Sequence, residues 1–265
     1  MHKKLLELVL LGCLTTNGYS EDLLNSEELT KKLDTKSALT QEQHNERRKY
    51  ALILNGDYSD LHKGNVTESY NSLKYLGFED ENIYILSSNT PRTENNFTIS
   101  AHATKDNLPK VIEHLEKRLD NNDLLIIYMT GHGSRGIDES TLVLEKYEPT
   151  QKELKQYFSK VKAKDYVIVC DQCYSGGVAK ELSTLEGNVV AYSSVDEKNV
   201  TFCESFARPF WKSFRNGKAD KNKDGTTTLD EAYNYTARIH ENSATPNDND
   251  NVRKAYSFRT KNYPK

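Results

Sequence analysis

"LLIIYMTGHGSRG", Leu124 to Gly136, decides how this chain folds. Its first six residues are apolar without alternation, the pattern of a strand buried on both faces. A turn follows in which a histidine stands between two glycines. The same grammar recurs in "YVIVCDQCYSGG", Tyr166 to Gly177: an apolar run up to Cys170, then an acid, an amide, a second cysteine and a glycine pair. "YALIL" (Tyr50–Leu54), "NIYIL" (Asn82–Leu86) and "NVVAYSS" (Asn188–Ser194) read as further strands, and "TLVL" (Thr141–Leu144) as a short candidate strand.

Between these runs the apolar period changes to that of a helix. Val66, Tyr70 and Leu73 share one face behind Asn65, which with Glu68 reads as a cap, and Gly77 stops the helix. Leu108, Val111, Ile112, Leu115 and Leu119 share another, with Asp106 as the capping residue. Thr150 and Glu153 form a capping box before Leu154, Tyr157 and Phe158. Residues 87–105 are polar, contain Pro91 and read as a long loop. Strand and helix alternate, so the expected fold is α/β, a mostly parallel sheet with helices on both faces in three layers. In such sheets, sites form where loops leave the carboxyl ends of strands. That singles out "TGHGSRG" and "DQCYSGG".

The bulk properties exclude some functions. A length of 265 residues suits one large domain, here residues 49–265, with appendages. A formal net charge of −3 argues against a nucleic-acid binder, which needs a basic face to displace counterions. Residues 1–19 begin "MHKKLLELVLLGCL", which resembles a short export signal ending in a bacterial lipoprotein box. On that reading Cys13 is lipidated and anchors an exported or periplasmic protein to a membrane. Glu7 interrupts the apolar run, and an amphipathic helix on a cytoplasmic protein is the alternative. Residues 20–48 are charged, lack glycine and proline, and read as a leader or linker outside the core. Cys170, Cys173 and Cys203 remain, an odd number that excludes a disulfide scaffold.

A thiol is a strong nucleophile as the thiolate, and a neighbouring imidazole promotes and then returns its proton. Cys173 and His132 are far apart in sequence, yet each follows the carboxyl end of an expected parallel strand. The flanking Gly131, Gly133, Gly176 and Gly177 would let backbone approach a substrate. The amides of Gly133 and Cys173 could face a developing oxyanion. "CDQC" is also a C-x-x-C motif, but Cys170 continues the apolar strand and reads as core; a thiol redox protein is the third alternative. Cys203 opens an apolar face, Phe202, Phe206, Phe210, Trp211 and Phe214, and reads as buried.

Taken together, "YMTGHGSRG" and "VIVCDQCYSGG" resemble the histidine and cysteine motifs of the caspase–legumain superfamily of cysteine peptidases, in legumain-like or metacaspase-like form. The resemblance spans roughly residues 49–215, and "TPNDNDNVRKAYSFRT" resembles a final strand. It implies a caspase-like fold and a cysteine endopeptidase acting on proteins or peptides, with no cofactor in catalysis. Cys173 would be the nucleophile, His132 the general base and acid, and Gly133 and Cys173 the oxyanion donors. Asp171 stands where the superfamily places a wall of the primary specificity pocket. Ser193, Ser194 and Asp196 stand where it lines the other side. "NGDYSDLHKGN" departs from the legumain pattern: His62 could match the legumain histidine, but Leu61 occupies the arginine position and the legumain Asn has no counterpart. The missing arginine favours cleavage after Arg or Lys over Asn, with Asp57 as a second pocket carboxylate. A catalytically inactive, peptide-binding or scaffolding relative is the alternative of a different class.

"DKNKDGTTTLDE", Asp220 to Glu231, fits a calcium-loop pattern. Asp220, Asn222, Asp224, Thr226 and Glu231 are its candidate ligands, with a structural role expected.

Overall fold

Five of the apolar runs are strands lying side by side, whereas Thr141–Leu144 makes only isolated bridges and is not a strand. The description comes from a computed structural model, which covers residues 23–34, 46–88, 99–201, 205–242 and 254–260. Its strands are β1 (Lys49–Asn55), β2 (Ile83–Ser87), β3 (Ile99–His102), β4 (Leu124–Thr130), β5 (Asp165–Asp171), β6 (Asn188–Ser193) and β7 (Tyr256–Arg259). They form one sheet in the order β3-β2-β1-β4-β5-β6-β7, parallel throughout except that β7 runs antiparallel to β6.

Side chains alternate across a strand, so a sheet covered on both faces needs apolar residues at every position. In β1, Leu52 and Leu54 enter one core and Ala51 and Ile53 the other. The first core is closed by α1 (Ser26–Asp34), α3 (Asn107–Arg118), α4 (Gln151–Phe158) and α5 (Ser175–Leu182). The second lies under α2 (Asp60–Tyr75), α6 (Ala207–Asn216) and α7 (Leu229–Asn242), where Val66, Tyr70, Phe210 and Trp211 are buried. This is the three-layer α/β architecture of the caspase-like fold. Among the described residues no helix is long and apolar enough to cross a membrane. Cys13, Phe202 and Cys203 lie outside the described residues.

The capping box at Thr150 and Glu153 is present as read, with both reciprocal hydrogen bonds made. Four other local readings are corrected. Asp106 makes no side-chain cap bond. The helix read from Asn65 begins earlier, at Asp60, so Asn65 is a buried interior residue instead of a cap. Residues 87–105 are not loop throughout, because β3 extends the sheet there and pairs with β2. The fourth concerns the leader. Leu24 bridges to Ala101 at the sheet edge, and Leu29 and Leu33 are buried in the first core. A charged helix with apolar residues four apart needs only that narrow stripe to dock, too little to raise its composition above that of a linker.

The strand order has one functional consequence. From β1 the chain steps outward to β2 and β3, then returns to place β4 on the opposite side of β1. In open sheets of this kind sites lie at the carboxyl ends of the strands where the order reverses, here β1 and β4, whose following loops touch through Gly56 and Gly131.

The burial of α1 is testable. Leu29→Ala should lower stability by about 2–5 kcal/mol, the usual range for a buried leucine, read as a lower urea midpoint at unchanged slope. A midpoint equal to that of the unmodified protein would return the segment to linker status.

Candidate active site

Strand register brings the two motifs together. β4 and β5 are paired so that Thr130 lies opposite Asp171. His132 and Cys173 each stand two residues beyond that pair, on loops leaving strands about 4.8 Å apart. The loops also touch. A Cβ on Gly133 would lie 2.1 Å from the carbonyl oxygen of Cys173, so only glycine permits this approach. The amides of Gly133 and Cys173 donate to no other described residue. The cysteine leads into α5 through Tyr174, whose positive φ of 59° makes the sharp turn from strand to helix. Its thiol rests against Thr201: the Thr201 amide donates to Sγ at 3.4 Å, and Sγ lies 3.8 Å from the Thr201 carbonyl oxygen.

Gly176 and Gly177 serve a different purpose from the one expected. A Cβ on Gly176 would lie 2.5 Å from the Cα of Asp196, and one on Gly177 2.2 Å from Ser140 Oγ. They let neighbouring loops of the protein pack on α5 and are buried, so they do not open the backbone to substrate. Gly131, at φ +126°, likewise packs its loop against Gly56.

The histidine has a partner that sequence reading placed elsewhere. Asp57, in the loop after β1, holds His132 Nε2 at 2.6 Å through Oδ2. The imidazole side chain is 70% exposed and the carboxylate only 10%, so the buried group anchors the exposed one. Burial works to raise the Asp57 carboxyl, but hydrogen bonds from Ser59 and the nearby His62 and His132 hold it below the ordinary carboxylate range. The Asn55 side chain fixes the same turn, accepting from the Asp57 amide at 3.1 Å and donating to its carbonyl at 3.2 Å. His62 is buried, its ring 6.2 Å from that of His132 and edge-on to it. Its Nδ1 lies 2.8 Å from Thr130 Oγ1, and Nε2 3.9 Å from Asp57 Oδ2. Burial pushes His62 down to about 4, against the attraction of Asp57.

The residues read as a specificity pocket lie at and just beyond the carboxyl ends of β5 and β6. Asp171 and Gln172 are fully buried, and neither Asp171 oxygen nor either polar atom of the Gln172 amide has a hydrogen-bond partner. Burial pushes the Asp171 carboxyl well above its usual range, and the Ser194 hydroxyl, which lies near it without meeting hydrogen-bond geometry, offsets this only in part. Ser193 pairs in register with Cys170, and its hydroxyl is also buried without a partner. Ser194 lies 3.3 Å from Ser175, oxygen to oxygen. Asp196 is turned into its own loop, accepting from the Lys198 amide and the Asn199 side chain. Cys170 is fully buried in the sheet, its thiol pushed up by burial, and both it and Cys173 are free thiols.

The Asp220–Glu231 loop stands apart from this site. Gly225 makes its sharp turn at φ +90°. Glu231 accepts from the Lys221 and Asn222 amides and from Thr228, Asp224 from Thr226, and one oxygen of Asp220 from Gly225. Among the described residues no three His, Cys, Asp or Glu side chains converge to hold a metal ion.

A family model described as the peptidase C13 family matches residues 93–261, more than half of the chain, including His132 and Cys173. Asp57 and His62 precede the matched region. No curated protein matches the chain. With the caspase-like sheet, the paired loops and this match in hand, the chain belongs to the peptidase C13 family, the legumain family of the caspase-like clan.

Proposed function

We propose that the protein is a cysteine endopeptidase in which Cys173 attacks the peptide carbonyl and His132 transfers the protons. The observation that carries this is the contact between the two loops, with both residues two positions beyond the Thr130–Asp171 register pair. Asp57 accepts from His132 Nε2, which leaves Nδ1 as the basic nitrogen for the thiol. Proton loss from Sγ to Nδ1 creates the thiolate as it bonds to the carbonyl carbon. The oxyanion takes the unused amides of Gly133 and Cys173, a stabilisation of a few kcal/mol per donor. The imidazolium, steadied by Asp57, then protonates the departing amine, and a water deprotonated by the same histidine hydrolyses the thioester. No step requires a cofactor. Asp57 thus acts on the histidine instead of serving as the second pocket carboxylate suggested by sequence.

The specificity reading follows from Asp171. Buried polar atoms are nearly always hydrogen-bonded, so unpartnered oxygens on Asp171 beside an unpartnered Gln172 amide favour a site completed by substrate. A cationic side chain would ionise Asp171 and supply its missing donors, so Arg or Lys is preferred before the cleaved bond, with Asn second. Leu61, where legumains carry arginine, adds no opposing charge.

Fluorogenic peptides ending in Arg, Lys, Asn or Asp test this reading. Arg and Lys peptides should be cleaved, with activity abolished in Cys173→Ala and kept in Cys170→Ala. Asp57→Ala should lower kcat on the order of 10²-fold, since the histidine loses its orientation. Asp171→Asn should erode the preference for Arg over Asn. Activity that survives Cys173→Ala but not Cys170→Ala would favour the thiol redox reading. No turnover of any peptide would favour an inactive binding relative.

We further propose that the Asp220–Glu231 loop takes a structural calcium ion. The donor pattern supports it, as does Asp220 Oδ1, buried without a partner. Binding would require Glu231 to release the loop amides it now accepts from. Millimolar calcium should then raise the melting temperature, and Glu231→Gln should remove the rise; a melting temperature indifferent to calcium contradicts it.

A further inference from the structure

Behind Asp57 runs a buried line of polar side chains that ends on a different layer of the fold. Arg208, the second residue of α6, donates from Nε to Asn65 Oδ1 at 3.1 Å and from Nη2 to the Leu61 carbonyl at 3.2 Å. Asn65 Nδ2 lies 3.4 Å from Thr130 Oγ1. That hydroxyl lies 2.8 Å from His62 Nδ1, whose other nitrogen faces Asp57, the partner of His132. Asn65 and Thr130 are both fully buried.

The line has a direction. A guanidinium has only donors, so the Asn65 atom facing it must be the oxygen, and the NH2 group must face Thr130. The Thr130 oxygen then accepts from Asn65, and because His62 Nδ1 is the one acceptor its hydroxyl meets among the described residues, its single hydrogen goes there. An Nδ1 that accepts places the proton of a neutral His62 on Nε2. The ring therefore presents N–H, not a lone pair, to the Asp57 carboxylate. His62 is kept neutral by burial, so its tautomer matters. The sequence makes room for the source of this direction: Gly64 sits inside α2, where glycine costs roughly 1 kcal/mol relative to alanine, and a Cβ there would lie 2.3 Å from Arg208 Nη2.

We infer that Arg208 is a positioning residue for the catalytic histidine, acting through Asn65, Thr130 and His62 to aim a donor at Asp57. It touches neither Cys173 nor substrate. The proposal rests on the peptidase reading for its kinetic consequence, but not for its structural one.

The test uses the full chain labelled with ¹⁵N-histidine, with His62 assigned by the resonance lost in His62→Gln. The ring-nitrogen shifts should report the Nε2–H tautomer. Asn65→Asp keeps an acceptor for Arg208 but removes the donor to Thr130. Thr130→Val removes the hydroxyl itself. In each, the Nε2–H form should lose its dominance while the thermal melt still shows a folded protein. With a cleaved peptide, kcat should fall about tenfold at unchanged KM, the scale of losing an outer partner of a histidine. An Nδ1–H form in the unmodified protein, or the same tautomer in both variants, overturns the proposal, whatever happens to kcat. If no peptide is cleaved, the peptidase reading fails and the tautomer still decides this one.

Discussion

The register between β4 and β5 is the constraint on which the molecule's chemistry depends. The loops carrying two residues 41 positions apart in sequence meet because Thr130 is locked opposite Asp171 by parallel pairing along both strands. A slip of one residue would turn every side chain of a strand to the other face, exchanging Cys170, which belongs to the first core, with Asp171. Burial on both faces makes that exchange prohibitive. The apolar runs that build the core thus also set the alignment of the loops, and the glycine at position 133 lets those loops meet.

On that frame, buried groups orient exposed ones. His132 faces solvent and would sample many orientations alone. Asp57, held by Ser59 and Asn55, restrains it. Charge interactions strengthen as water is excluded, so a carboxylate enclosed to this degree is a firmer anchor than an exposed one. The cost of enclosing polar groups is met with partners along the Arg208–Asn65–Thr130–His62 line. At Asp171 and Gln172 it is left uncompensated. The contrast separates polar residues whose partners lie within the protein from those that, on the proposed reading, are completed by substrate.

Much of this was legible in the sequence. Unbroken apolar runs identified the strands, and the placement of Gly-His-Gly and Asp-Gln-Cys after two of them located the candidate site. Other features were hidden for physical reasons. The four residues of β3, Ile99 to His102, are too few to show a period against their polar surroundings, and the strand is defined by its pairing with β2. The stripe in α1 is two leucines among charges, visible only once the sheet edge it covers is known. Asn65 resembled a cap because Asn commonly is one; its buried role depends on Arg208, 143 residues away. Asp57 lacked any motif signal, since the loop after β1 departs from the legumain pattern, and only the strand order places it against His132.

The most direct test of the shared site is a short-reach cross-link. Treatment with 1,3-dibromoacetone, followed by digestion and peptide mapping, should yield one product in which a three-carbon bridge joins Cys173 Sγ to His132. That product should vanish in His132→Ala, leaving a singly attached adduct on Cys173. A Cys173 adduct in the unmodified protein that never reaches His132, or that bridges to another side chain, would contradict the convergence on which the account stands.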